Sequence, residues 1–107
     1  MTQDEVLKQA KKVAQQLLEK YHPKKVILFG SAASNDLEEP NDLDFFLIKD
    51  QVPQRSIDRA REVDRLIDRE VACDFIVYTQ QEFDQRLKLK DPFINKTIAS
   101  KGIILYG

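Results

Sequence analysis

Val26-Ile27-Leu28-Phe29-Gly30-Ser31, followed ten residues later by Asp42-Leu43-Asp44-Phe45-Phe46-Leu47-Ile48, is the stretch on which the reading of this chain turns. Val26 to Phe29 is short and wholly apolar, the pattern of a strand buried on both faces. Gly30-Ser31-Ala32-Ala33 follows at once, small residues suited to a tight strand-to-helix turn. Ser34 to Asn41 is polar and holds Pro40, so it is expected to be a loop. Asp42 to Ile48 then reads as a second strand. Residues two apart on a strand share a face. Asp42 and Asp44 therefore project together, while Leu43 and Phe45 point to the other side.

The flanking sequence supplies the remaining elements. Thr2 with Glu5 has the capping-box spacing, and Val6, Ala10, Val13, Ala14, Leu17, Leu18 and Tyr21 recur at helical intervals until Pro23. Pro53 and Ser56 are helix-start residues, and Ile57, Ala60, Val63, Leu66 and Ile67 give the apolar stripe of a second long helix. Ala72 to Tyr78 reads as a third strand. Thr79 with Glu82 repeats the capping-box pattern ahead of Phe83 and Leu87. Asp91-Pro92 opens a last helix through Phe93, Ile94, Thr97 and Ile98, with Gly102 in the position after its end. Ile103 to Tyr106 is expected to be a short edge strand. The fold class is α/β in the α+β sense: a small mixed sheet of three to four strands covered by helices.

Composition bounds the function. The chain has 107 residues, which reads as a single domain over 1–107 that buries roughly 60–70% of its unfolded surface. Seventeen basic residues balance eighteen acidic ones, so no global field draws it to nucleic acid or to an anionic membrane. Any phosphate must be bound by a local site. One cysteine excludes an internal disulfide and a Cys-rich zinc centre, and one histidine excludes a His-dominated metal site. No apolar run approaches the ~20 residues of a membrane span, and Met1-Thr2-Gln3-Asp4-Glu5 does not read as a signal peptide. The expected location is cytoplasmic.

Most of the acids fall on helices or loops, where a charge is simply solvated. Asp42, Asp44 and Asp74, the last in the middle of Val71-Ala72-Cys73-Asp74-Phe75-Ile76-Val77, fall on strands. An unpaired carboxylate buried in a strand costs several kcal/mol by desolvation, and like charges held together repel. A lone Asp at a strand head is ordinarily a turn residue, and a lone Asp in a strand ordinarily has a structural partner such as a buried Arg. Three together call for a divalent cation or a set of strong donors to compensate them, and oxygen-only ligands suit Mg²⁺ or Mn²⁺. Gly30-Ser31 adds the second half. A helix starting there would aim its free N–H groups at an anion in the turn, with Ser31 adding a hydroxyl. A phosphate cradle one loop before an Asp-x-Asp pair suggests a triphosphate at Gly30-Ser31, with metals between it and the carboxylates.

On these residues the chain resembles the polymerase-β-like nucleotidyltransferase superfamily, and within it the minimal nucleotidyltransferases that are often paired with a HEPN-domain partner. The resemblance runs from the N-terminal helix through Gly30-Ser31, Asp42-Leu43-Asp44 and Asp74 to the closing Gly102-Ile103-Ile104-Leu105-Tyr106. It implies that Gly30 and Ser31 bind the nucleoside triphosphate. It implies that Asp42 and Asp44 hold two Mg²⁺ ions, Mn²⁺ being an alternative, with Asp74 as the third acid of the metal and catalytic set that helps activate the attacking hydroxyl. The implied activity is transfer of AMP from ATP to a hydroxyl, such as a tyrosine of a HEPN toxin, which would make this chain the antitoxin. Direct binding of nucleic acid is not expected; a homo-oligomer is left open. In one respect the chain departs from the family, which often carries a basic residue just after the Gly-Ser pair and then a Gly turn. Here Ala32-Ala33-Ser34-Asn35-Asp36 follows, and no Arg or Lys occurs between Gly30 and Lys49. Asn35 can supply the left-handed conformation of the missing Gly. The alternative reading is a non-catalytic antitoxin or adaptor that neutralises a helical partner by contact.

Other residues read as structural. His22 before Pro23 is a helix-end residue, and Cys73, alternating with Asp74, faces the core. Arg55, Arg59, Arg61, Arg65 and Arg69 with their interleaved acids read as a solvated helix face. Tyr21, Tyr78 and Tyr106 read as packing residues. With 107 residues there is no room for a separate acceptor-binding domain, so the acceptor is expected on another molecule.

Overall fold

In the computed structural model, which describes residues 2–34 and 42–107, Thr2 begins the first helix by accepting the Glu5 N–H at 3.2 Å. Helix α1 (Gln3–Gln16) continues into one π-wound turn, Leu17–Tyr21. His22 ends it in the left-handed conformation, φ 61°, its N–H donating to the Leu17 carbonyl, so the helix-end reading of His22 holds. Strand β1 (Lys25–Phe29) follows, then the expected tight turn as a single 3₁₀ turn, Gly30–Ala33. The expected loop and the left-handed Asn35 lie outside the described residues, apart from Ser34. Strand β2 is Asp42–Ile48, helix α2 Ser56–Leu66, strand β3 Ala72–Tyr78 and helix α3 Gln80–Lys88. The Thr79–Glu82 capping box is fully formed at the start of α3. Asp91 Oδ1 accepts from the N–H groups of Phe93 and Ile94 to open a π-wound C-terminal helix, Phe93–Ser100. Strand β4 (Ile103–Tyr106) closes the chain.

The four strands form one mixed sheet in the order β3-β2-β1-β4. β1 is antiparallel to β2 and to β4, while β2 and β3, joined through α2, run parallel. Strand periodicity divides the core in two. On one face Leu28, Leu43, Phe45, Leu47 and Val77 pack under α1 and α2 through Val6, Val13, Leu17 and Val63. On the other, Ile27, Phe46 and Ile48 pack under α3 and the C-terminal helix through Phe83, Ile94 and Ile98. Phe46 sits among aromatic rings, its centroid 5.0 Å from Tyr78 and 5.7 Å from Phe83. Full burial of such a side chain contributes about 1.5–3 kcal/mol. Among the described residues no helix is long and apolar enough to cross a membrane.

Several local expectations are corrected. The apolar stripe of α2 is narrower than its periodicity implied: Val63 and Ile67 are buried, but Ile57 is 48% exposed and Leu66 38%. Arg59 takes the inward place and is buried. It donates to the carbonyls of Pro53, Gln54 and Val77 and to both Glu82 carboxylate oxygens, the shorter of these at 2.6 Å. The solvated-face reading thus holds for Arg55, Arg61 and Arg65 but not for Arg59. Gly102 follows the last helix without a positive φ. What it needs is room, because a Cβ there would lie 2.5 Å from Ile27 Cγ2 and from the Ile98 carbonyl. Tyr21 is buried as expected, whereas Tyr106 on the β4 edge is largely exposed.

Candidate active site

Register brings two of the expected acids together. Asp44 is paired with Asp74 across the parallel β2–β3 ladder and with Phe29 across β1–β2. Asp42 is two residues earlier on the same face. The parity that sends Phe46, Ile48 and Tyr78 under α3 and the C-terminal helix sends Asp42, Asp44 and Asp74 to that same face. Asp44 is half-buried, while Asp42 and Asp74 are exposed. The exposure of Asp74 corrects the expectation of a carboxylate buried within its strand: β3 is an edge strand, and solvent reaches it.

The electrostatics follow from that geometry. Burial pushes the Asp44 carboxyl above its ordinary range, and repulsion from Asp74 and Asp42, with a hydrogen bond shared with Asp74, pushes in the same direction. No ion pair among the described residues involves Asp42, Asp44 or Asp74. The buried arginine that could have given Asp74 a structural partner is engaged by Glu82 instead.

Gly30 is bound into the same arrangement. Its φ is +74°, and a Cβ on it would lie 2.5 Å from Asp44 Oδ2. The turn after β1 therefore rests directly against the carboxylate, and only glycine leaves room for both. Ser31 is exposed beside it, and Ala32 is buried as the anchor of the turn. The first N–H groups of such a turn have no partner within it.

Among the described residues no group of three His, Cys, Asp or Glu side chains converges closely enough to hold a metal unaided. The donor chemistry nevertheless fits Mg²⁺, which is commonly bound through one or two carboxylates with phosphate and water oxygens completing its shell. Asp44 and Asp74, mutually repelling and in no ion pair among the described residues, are two such carboxylates.

One feature of the α2 face had no sequence signal. A cavity of about 190 Å³ lies between α2 and the Cys73–Phe75 stretch of β3, with Ile57, Ala60, Arg61 and Asp64 lining its α2 side. It exists only because the parallel crossover lays α2 along the edge strand. Cys73, on the same stretch of β3, packs partly against the core, and burial pushes its thiol up to about 11.

The sheet sets Asp44 and Asp74 in register beside the Gly30 turn, and comparison with known proteins shows the family to which this fold belongs. The family model described as nucleotidyltransferase domain matches residues 10–105, and the chain belongs to that family. A solved structure from Sulfolobus solfataricus, of a protein provisionally assigned as a nucleotidyltransferase, matches with a TM-score of 0.63 at 23% identity. The match covers 95% of this chain and 80% of that one. At that identity the likeness speaks for the fold, which is the small mixed sheet with helices expected from the sequence. No curated protein sequence matches significantly.

Proposed function

We propose that this chain transfers AMP from ATP to a hydroxyl of a partner protein, a tyrosine of a HEPN-domain toxin, and acts as that toxin's antitoxin. The observation that carries the transfer is the register of Asp44 with Asp74 and the contact of the Gly30 turn with Asp44. The choice of partner rests on the resemblance to minimal nucleotidyltransferases.

In this reading Gly30 and Ser31 receive the triphosphate through backbone N–H groups and a hydroxyl. Asp44 and Asp42, with Asp74 beside them, would hold Mg²⁺, which when bound neutralises charge on the triphosphate and the leaving pyrophosphate. Asp74, exposed on the edge strand, takes the proton of the attacking hydroxyl. The new bond joins that oxygen to the α-phosphorus, and the bond from the α-phosphorus to the pyrophosphate oxygen breaks. Catalysis is positioning and charge neutralisation.

The test is α-labelled ATP with Mg²⁺ and the product of the gene that neighbours this one. Label should appear on a tyrosine of that protein and vanish with Asp42→Asn. The absence of a basic residue between Gly30 and Lys49 favours one other reading, neutralisation by contact alone. A HEPN protein that is bound and inhibited but never labelled would establish that reading and end this one.

A further inference from the structure

We propose that Phe93 is the residue against which the base of the bound nucleoside triphosphate rests, and that it contacts all four bases alike. This deepens the nucleotidyl-transfer reading and rests on it. Phe29 leads from β1 into the Gly30 turn and is paired with Asp44 across β1–β2. Side chains directly opposite on such a pair share one face, with Cβ atoms about 4.5–5.5 Å apart. The Phe93 ring stands nearly at right angles to the Phe29 ring, centroids 5.5 Å apart, and its centroid is 6.5 Å from that of Phe46. Phe93 therefore marks the border where the covered part of this face gives way to the row of acids. Phe29 and Phe46 are buried, but Phe93 keeps part of its surface open to solvent.

Position selects the occupant. Along the acid row the Gly30 turn stands on the β1 side and Asp74 on the β3 side. Two half-buried apolar side chains border the row. Ile76, two residues beyond Asp74 on the same face, borders it on the β3 side. Phe93, against Phe29, borders it on the side of the phosphate turn. A group joined to a triphosphate at Gly30 and Ser31 thus has Phe93 as its apolar neighbour. That group is a nucleoside, and its flat base matches an aromatic ring. Every base has a π-face, and a phenylalanine ring has no hydrogen-bonding group with which to tell one base from another. The ring is also held in place before any ligand arrives. Asp91 accepts the Phe93 N–H at 2.9 Å and is itself held by Arg86 at 3.2 Å.

The experiment compares Mg·ATP with Mg·tripolyphosphate, which has the phosphates and no nucleoside, by calorimetry on the unaltered protein and two variants. Phe93→Leu keeps apolar packing on Phe29 and Phe46 and removes the ring. It should weaken ATP, GTP, CTP and UTP about tenfold each and leave tripolyphosphate unchanged. Phe93→Tyr keeps the ring and should keep the affinities of the unaltered protein. This role for Phe93 is refuted if Phe93→Leu binds ATP as tightly as before, or if one base alone is affected. It is refuted as well if tripolyphosphate weakens equally, since Phe93 is then a packing residue, or if the unaltered protein binds ATP no more tightly than tripolyphosphate. The expected losses in a protein that labels no partner hydroxyl would uphold Phe93 and overturn the transfer reaction instead. An unaltered protein that binds neither probe would overturn both.

Discussion

Gly30→Ala tests whether the turn after β1 and the acid on β2 form one unit. Two costs can be worked from the geometry. The residue sits at φ +74°, and an L-residue in that region loses about 1–2 kcal/mol. The added methyl would lie 2.5 Å from Asp44 Oδ2 and 3.4 Å from Asp44 Cγ. Oδ2 is the end of a rotatable side chain, so the clash is relieved by turning Asp44 off its rotamer, at about 0.5–1.5 kcal/mol. Gly30→Ala should therefore destabilise the fold by about 2–3 kcal/mol in urea titration, and because Asp44 has moved, Mg·ATP affinity should fall as well. The double variant Gly30→Ala, Asp44→Ala keeps the backbone cost and loses the clash. It should be more stable than the sum of the two single variants by about 1 kcal/mol, beyond the ~0.3–0.5 kcal/mol scatter of independent sites. Additive stabilities, or unchanged Mg·ATP affinity in Gly30→Ala, would refute the contact as the basis of the site.

Asp44→Asn should abolish nucleotidyl transfer yet raise thermal stability at neutral pH. The native carboxyl holds its proton to higher pH than the unfolded chain, so its ionised form costs the fold stability above that range, and the advantage of Asn should fade as pH falls to about 3.8 and below. Removing Arg59 by Arg59→Ala should cost about 3 kcal/mol, the lower end for breaking a buried pair, because Glu82 still reaches water. Glu82→Gln retains the cap but loses the charge. Its partner Arg59 holds the Glu82 carboxyl below its usual range, so the difference from the unaltered protein should be full above pH 4.5 and vanish as pH falls through the lowered native value, measured by urea midpoints across that window.

Much of the architecture was legible because it depends on local periodicity. The strands Val26–Phe29, Asp42–Ile48 and Ala72–Tyr78 announce themselves by apolar runs, and the caps at Thr2 and Thr79 by spacing alone. The pairing of Asp42 with Asp44 on one face, opposite the buried Leu43 and Phe45, is likewise a consequence of the two-residue repeat. Arg59 was misread for the same reason: composition assigns an arginine to solvent. Only the meeting of α2 with the Pro53–Gln54 carbonyls, the end of β3 and Glu82 on α3 provides enough acceptors to hold it inside.

The sequence alone determined the kinds of residue at the site and the face on which Asp42 and Asp44 stand, because strand geometry is local. The tertiary structure decided which residues meet. That Asp74 lies level with Asp44 follows from the parallel β2–β3 register, set by the crossover through α2 and invisible in either strand by itself. That Asp74 stands in water follows from β3 lying at the sheet edge, a matter of strand order. That Gly30 must be glycine for the sake of Asp44 follows from the antiparallel β1–β2 pairing, which brings the end of one strand against the start of the other. Each is a contact between segments distant along the chain, and such contacts arise from the packing of whole elements.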